Sequence, residues 1–234
     1  MQWQRLWLPF RDSVLDLLFP PQCAGCGQRG QLFCSGCLAA VERIRPPLCP
    51  QCGRPQPRAQ LCRLCRARPL STDGIRSMAY FEGGLRQAIH RFKYGGVQAL
   101  AGPLAELLVK YQADNSWPAD MIVPVPLHPE RRAERGYNQA ALLARALGAG
   151  LGLPATETAL IRVRATAPQV KLDAGQRRSN VAGAFRARAE DVAGQRVLLI
   201  DDVCTTGATM DACAQALKAG GARTVWGLAL ARGR

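Results

Sequence analysis

At 234 residues, 48% of them apolar, the chain is long enough for one fair-sized domain with an appendage or for two small ones, which excludes a long multidomain assembly and wholesale disorder. Thirty-one Lys and Arg against 17 Asp and Glu leave a formal +14, and only Lys93, Lys110, Lys171 and Lys218 are lysines, a bias that suits phosphates or nucleic acid unless it serves solubility alone. No uncharged apolar run approaches the roughly 18 residues that span a bilayer, and Arg11, Asp12 and Asp16 break any signal-peptide core, so no membrane insertion and a reducing cytoplasmic location are expected.

Leu6, Phe10, Val14, Leu17 and Leu18 recur at helical spacing and predict a first helix that packs on its own protein, with a membrane-surface helix as the alternative. Eight of the ten cysteines then fall between Cys23 and Cys65, all in C-x-x-C pairs: Cys23/Cys26, Cys34/Cys37, Cys49/Cys52 and Cys62/Cys65. Each pair brings two thiolates onto one metal through a tight turn, and two turns complete a tetrahedron. Cys-Ala-Gly-Cys-Gly at 23–27 and Cys-Pro-Gln-Cys-Gly at 49–53 repeat, each followed by a second pair without the glycine. The repeat favours two successive four-cysteine ribbons, Cys23/Cys26/Cys34/Cys37 and Cys49/Cys52/Cys62/Cys65, although spacing leaves interleaved pairing open. Redox pairs and a disulfide scaffold compete with this reading. Four pairs in 43 residues without a thioredoxin-like strand and helix point instead to Zn2+, in a structural role because four thiolates leave no open coordination position. Part of the arginine around the ribbons, such as Arg43, Arg54 and Arg63, then balances thiolate charge.

After Pro69 the pattern changes. Residues 75–81 read as a strand, Gly83-Gly84 as a turn into a helix over 85–94, and residues 100–111 as a second helix. Apolar strand cores follow at 121–125, 159–163, 197–200 and 225–229, with helical patterns at 139–147 and 209–219 between them. Strands alternating with helices predict an α/β fold, a parallel sheet flanked by helices, with ligands at the carboxyl ends of the strands. The chain thus divides into a helix with a double zinc ribbon over 1–70 and an α/β domain over 71–234.

The chemistry is concentrated in Val197-Leu198-Leu199-Ile200-Asp201-Asp202-Val203-Cys204-Thr205-Thr206-Gly207-Ala208-Thr209. A buried strand ends in two carboxylates, and a small-residue loop rich in hydroxyls enters a helix. A helix N-terminus offers unpaired N–H groups and partial positive charge to a phosphate, Gly207 admits close backbone approach, and Thr205, Thr206 and Thr209 add donors. Adjacent carboxylates accept from vicinal hydroxyls. The combination asks for a ribose 5-phosphate; an ordinary strand end with an N-capped helix is the bland alternative.

This segment resembles the 5-phosphoribosyl-1-pyrophosphate (PRPP) signature of type I phosphoribosyltransferases. The resemblance implies that Asp201 and Asp202 hold the ribose hydroxyls and that Thr205, Thr206, Gly207, Ala208 and Thr209 hold the 5′-phosphate. Further residues widen it: Phe92-Lys93-Tyr94-Gly95, Pro124-Val125-Pro126-Leu127-His128, Gly136-Tyr137-Asn138-Gln139, then Arg162, Arg164, Thr166, Asn180 and Gly183-Ala184-Phe185. With the cysteine ribbons these look like the ComF family, proteins associated with competence and the use of external DNA. The resemblance covers almost the whole chain.

It implies a type I phosphoribosyltransferase-like fold in which Arg131 and Arg135 contact pyrophosphate, guanidinium forks matching phosphate oxygens. Residues 164–178 correspond to the loop that closes over PRPP, where Lys171, Arg177 and Arg178 face the leaving group. Mg2+ accompanies PRPP, and Asp201 and Asp202 act by orientation and electrostatics. The expected reaction moves a phosphoribosyl group to an unknown nitrogen acceptor with release of pyrophosphate. The alternative is a non-catalytic module that senses a ligand or handles single-stranded DNA, with a DNA-uptake protein as a further partner; transcriptional control ranks last for want of a helix-turn-helix segment. His90 and His128 stay outside the catalytic set, and Cys204 and Cys213 read as packing thiols.

Overall fold

The structure, a computed structural model, describes residues 20–166 and 173–234. The helix expected over 6–18 and positions 167–172 of the 164–178 loop, including Lys171, lie outside the described residues.

Both ribbons are built alike. In each, a turn carrying the first cysteine pair is followed by a one-turn helix that starts on the second pair: α1 (Ser35–Ala39) behind Cys34 and α2 (Arg63–Ala67) behind Cys62. Cys34 caps α1, its sulfur accepting from the Cys37 amide at 3.4 Å. Strand β1 (Gly74–Tyr80) follows, then α3 (Gly83–Tyr94), a 3-10 turn and α4 (Ala101–Asn115). Next come β2 (Met121–Pro124), α5 (Pro129–Arg135) and α6 (Gln139–Leu151). The chain continues through β3 (Leu160–Arg162), α7 (Ala174–Val181), β4 (Phe185–Ala187) and the short α8 (Ala189–Val192). It closes with β5 (Arg196–Cys204), α9 (Ala208–Ala219) and β6 (Thr224–Arg232).

Strands β1, β6, β5 and β2 lie side by side in that order, all parallel. A parallel sheet must be covered on both faces, and the sequence period of two divides its residues accordingly. Leu198 and Ile200 of β5 and Leu228 and Leu230 of β6 join Phe92, Leu104, Leu108, Leu143 and Leu147 of α3, α4 and α6 on one face. Val197, Leu199, Val225 and Ala229 turn the other way, onto Met210, Cys213 and Leu217 of α9. Residues 197–200 are buried throughout. Each such side chain contributes about 1.5–3 kcal/mol relative to exposure, which is why this run becomes the central strand.

The run over 159–163, expected in that sheet, is not there. Its β3 pairs antiparallel with β4 in a separate two-stranded piece, Ile161 opposite Arg186. Ala159 and Leu160 are buried, whereas Ile161 is 41% and Val163 45% exposed. A strand with one apolar face covered and the other in water fits a separate piece packed against the helix over 208–219, not a central position covered on both faces. The β4 strand and α5, α7 and α8 are too short to leave a periodic signal.

The ribbons lie along the free edge of β1. The Ile44 amide donates to the Met78 carbonyl at 3.0 Å and the Tyr80 amide to the Glu42 carbonyl at 3.0 Å, while the Ile75 amide donates to Gln51 at 2.7 Å. An edge strand left open is a template for unwanted pairing, and these bonds close it. At the opposite end of the sheet, β2 pairs with β5 only as far as Pro124 opposite Ile200, yet β5 stays paired with β6 to Cys204 opposite Arg232. From Asp201 onward the β2 flank of β5 is therefore open. That step in strand length makes the crevice.

Candidate functional site

The crevice holds a cavity of about 260 Å³. Alternation along β5 places Ile200 on the α3 face and Leu199 on the α9 face, so the next two residues continue to opposite sides. Asp202, buried, meets Lys93 of α3, with Nζ 2.8 Å from Oδ1. Asp201 is half-buried and accepts from the Asp202 amide at 2.8 Å. The two carboxyls differ in chemistry as a result. Burial pushes the Asp201 carboxyl well above the usual carboxylate range, the Asp202 charge adds to this, and Lys93 and Arg162 oppose it.

Beyond the strand, Gly207 adopts φ +82 and opens α9. A Cβ there would stand 3.0 Å from the Ile75 side chain, so both the backbone angle and the packing ask for glycine. Thr206 turns back and its hydroxyl accepts from the Ala208 amide at 3.3 Å, closing a side-chain turn just ahead of the Gly207 N-cap. Thr205 is exposed, and the first turn of α9 faces the cavity with the positive end of a 12-residue helix.

Asp201, Asp202, Thr205, Gly207, Ala208, Thr209, Arg131, Arg135 and Arg177 all line this one cavity, although they come from three separate stretches of chain; Thr206, whose hydroxyl accepts from the Ala208 amide, is not among the lining residues. Arg131 and Arg135 project from α5, a helix started by Pro129 and ended by Gly136 at φ +80. Arg135 is held by Gln139 Oε1 at 2.6 Å and lies over the Tyr94 ring with its guanidinium carbon 4.9 Å from the centroid. Arg177 comes from α7, which begins with a reciprocal capping box between Asp173 and Gln176.

Two lining residues, Lys93 and Arg162, carry the family resemblance in the sequence but receive no site role there. Lys93 stands within the Phe92–Gly95 stretch, and its one local signal is that it is one of four lysines in a chain that mostly uses arginine. Arg162 donates to the Thr166 hydroxyl and lies over the Phe185 ring at 5.5 Å. Neither His90 nor His128 lines the cavity. Cys204 and Cys213 are buried, and burial raises both thiols, Cys204 to about 11, so they pack as neutral groups.

The cysteines gather in the successive arrangement, the four sulfurs of each set within 4.8 Å of one another. A tetrahedron with Zn–S bonds of about 2.3 Å has S···S edges of about 3.8 Å. The Cys23–Cys37 and Cys26–Cys34 sulfurs are 3.6 Å apart and the Cys52–Cys62 pair 3.7 Å, far from the roughly 2.05 Å of a disulfide. Amides of Gly25 and Cys34 donate to Cys23, and that of Cys62 to Cys49, each at 3.4 Å. Burial opposes ionisation at Cys23 and Cys49, but these donors outweigh it and bring the thiols down to about 6 and about 7. Cys37 and Cys65 are pushed up by burial and by the neighbouring sulfurs. Four sulfurs so placed cannot all carry charge unless a cation joins them. The residues fit zinc.

Residues 14–66 match the family described as double zinc ribbon domain, and residues 104–233 the one described as phosphoribosyl transferase domain. The chain is 37% identical over 199 residues to the DNA utilization protein YhgH of Salmonella typhimurium, covering 82% of this chain and 87% of that one. It is 34% identical over 226 residues to Competence protein F of Haemophilus influenzae, covering 90% and 97%. The chain belongs to the ComF family. It joins a double zinc ribbon to a phosphoribosyltransferase domain. A solved glutamine PRPP amidotransferase from B. subtilis aligns with 56% of the ComF chain and 26% of its own, at 20% identity and a TM-score of 0.40.

Proposed function

We propose that the cavity binds PRPP and transfers its phosphoribosyl group to a nitrogen acceptor, in a cytoplasmic protein that serves competence or the use of external DNA. One observation carries this reading: an acid pair at the end of β5 and the N-terminus of α9 open onto the same cavity, so one ligand can meet both with a diol and a phosphate. In the transfer, the bond from C1′ to pyrophosphate oxygen breaks with its electrons leaving on pyrophosphate. The acceptor lone pair forms the new C1′–N bond and its proton passes to water.

The side chains divide the work. Asp201 and Asp202 receive the ribose hydroxyls and stabilise positive charge developing at the sugar ring. Thr205 to Thr209 hold the 5′-phosphate, and Arg131, Arg135 and Arg177 neutralise the pyrophosphate. Mg2+, whose hard oxygen ligands would come from PRPP and from the acid pair, supplies further neutralisation of the leaving group when bound. The functional boundary lies near residue 70, with the zinc ribbons as a rigid attachment.

Titration calorimetry with PRPP and Mg2+ tests the reading. Binding should vanish in the Asp201→Asn/Asp202→Asn variant while thermal unfolding stays cooperative; unchanged affinity would remove the acids from the site. A screen of nitrogenous acceptors read by pyrophosphate release then tests turnover.

A non-catalytic, single-stranded DNA-handling role is the second reading. It is favoured by Arg43, Arg45, Arg58, Arg63, Arg66 and Arg68, all exposed on the ribbon segment. DNA affinity that falls steeply with salt and ignores the Asp substitutions would support it. A DNA-uptake protein docking on the same basic segment would compete with the DNA.

A further inference from the structure

Two neighbouring carboxylates in a part-buried cleft repel one another, and ionising both is costly unless a positive group stands against them. Lys93 stands there. Its Nζ is 2.8 Å from Asp202 Oδ1, with 21% of the lysine side chain exposed against 7% of the aspartate. It is far from a loosely tethered surface lysine. It occupies the last turn of α3 next to Phe92, which is fully buried, and the Phe92 carbonyl accepts from the Tyr137 hydroxyl, so the helix end is tied to the segment that leads into α6. Burial alone would favour loss of its proton; the Asp202 charge outweighs this and Asp201 adds to it, so the ammonium stays charged.

Arg162 does not duplicate the role. It acts on Asp201 only through space, because its own bonds go to the Thr166 hydroxyl and the Phe185 ring. An ammonium has three donors, and with one directed at Asp202 two remain for a hydroxyl or phosphate oxygen in the cavity.

We propose that Lys93 is the resident counter-ion of the acid pair, so that the site holds a ribose 5-phosphate without a divalent metal and needs Mg2+ only for ligands that carry pyrophosphate. This deepens the phosphoribosyl reading and rests on it. The sugar and its 5′-phosphate meet Lys93, the acids and the α9 N-terminus, a set with enough positive charge of its own. Pyrophosphate brings several further negative charges beyond those that Lys93 balances, and Arg131, Arg135 and Arg177 meet them together with Mg2+.

Ribose 5-phosphate is titrated calorimetrically into wild type, Lys93→Met and Lys93→Arg, in EDTA and in Mg2+, with Mg2+–PRPP alongside. Wild type is expected to bind ribose 5-phosphate with the same affinity, within about twofold, in both buffers. Lys93→Met should lose about tenfold or more in EDTA and regain most of it in Mg2+, as expected when one charge-assisted contact is removed and a metal replaces it. Lys93→Arg should keep most of the metal-free binding. A lysine that only props up the fold would not make sugar-phosphate binding newly dependent on a metal. Thermal unfolding checks the variants, and Lys93→Gln, which keeps a donor toward Asp202 without the charge, replaces Lys93→Met should the latter fail to fold.

Wild-type binding of ribose 5-phosphate that requires Mg2+, or neutral variants that match wild type in EDTA, overturns the proposal. If Mg2+–PRPP still binds in either case, only the role of Lys93 falls. Failure of wild type to bind either ligand removes the phosphoribosyl reading and the proposal with it.

Discussion

Asp201 and Asp202 are adjacent and chemically alike, yet the fold gives them different surroundings. Asp202 is matched by an ammonium, while Asp201 is raised, first by burial and then by the charge beside it. A carboxyl whose folded pKa exceeds its unfolded one stabilises the fold while protonated. That contribution is complete below about pH 4, the unfolded value, and is lost as pH rises through the raised folded value near 7. Asp201→Asn, which keeps the oxygen that accepts from the Asp202 amide, is therefore expected to stabilise the ligand-free protein at pH 8 by on the order of 1–2 kcal/mol. The gain should shrink on acidification toward pH 4, and urea unfolding at a series of pH values measures it. Equal stability of variant and wild type at pH 8 would mean that Asp201 ionises there without strain.

At the scale of elements, the turn from β5 into α9 is the part most completely written in its own residues. Two acids, three threonines and one glycine occur in order, and a backbone at φ +82 follows from Gly207 without help from elsewhere. Gly207→Ala should cost about 1–2 kcal/mol, from the left-handed backbone and from its Cβ meeting Ile75, and should weaken PRPP binding by tilting the amides of the first α9 turn. Denaturant titration and calorimetry read the two effects separately. The β3 segment is the counter-case. Ala159–Val163 has the composition of a central strand, but β propensity reports a fit to a half-covered surface, and only the position of Phe185–Ala187 shows that its partner is antiparallel. Lys93 was equally hard to read: a residue at the end of an amphipathic helix is ordinarily solvated, and only the placement of α3 against β5 turns it inward.

For the whole molecule, the zinc ribbons are joined to the sheet that carries the site. Gln51 lies inside one C-x-x-C turn and accepts from Ile75 of β1, and the Cys52 carbonyl accepts from the buried Arg232 at 2.8 Å. Gly53 has no room for a side chain, since a Cβ would stand 2.3 Å from the Ile75 carbonyl. The Ile75 side chain in turn lies where a Cβ on Gly207 would meet it, at 3.0 Å. Cys49→Ser should thus lower the zinc content from two to one per chain, as elemental analysis would show, reduce Tm by several degrees, and speed hydrogen exchange at the Ile75 amide. The corresponding Cys23→Ser change should lose one zinc with little effect at Ile75. Identical exchange patterns in the two variants would show that the ribbons are not separately coupled to the sheet.

The cysteine pairs, the strand–acid–threonine–glycine run and the alternation of strand and helix were readable from the chain alone, because each is a local pattern whose chemistry depends on residues a few positions apart. Arg131, Arg135 and Arg177 could be given a role only through resemblance, and the places of Lys93 and Arg162 in the cavity emerged from the fold, because charges far apart in the chain meet only where helices and loops converge on the crevice. The crevice itself depends on β2 ending four residues before β5 does. Strand length relative to a neighbour belongs to no single segment, so packing alone determines it.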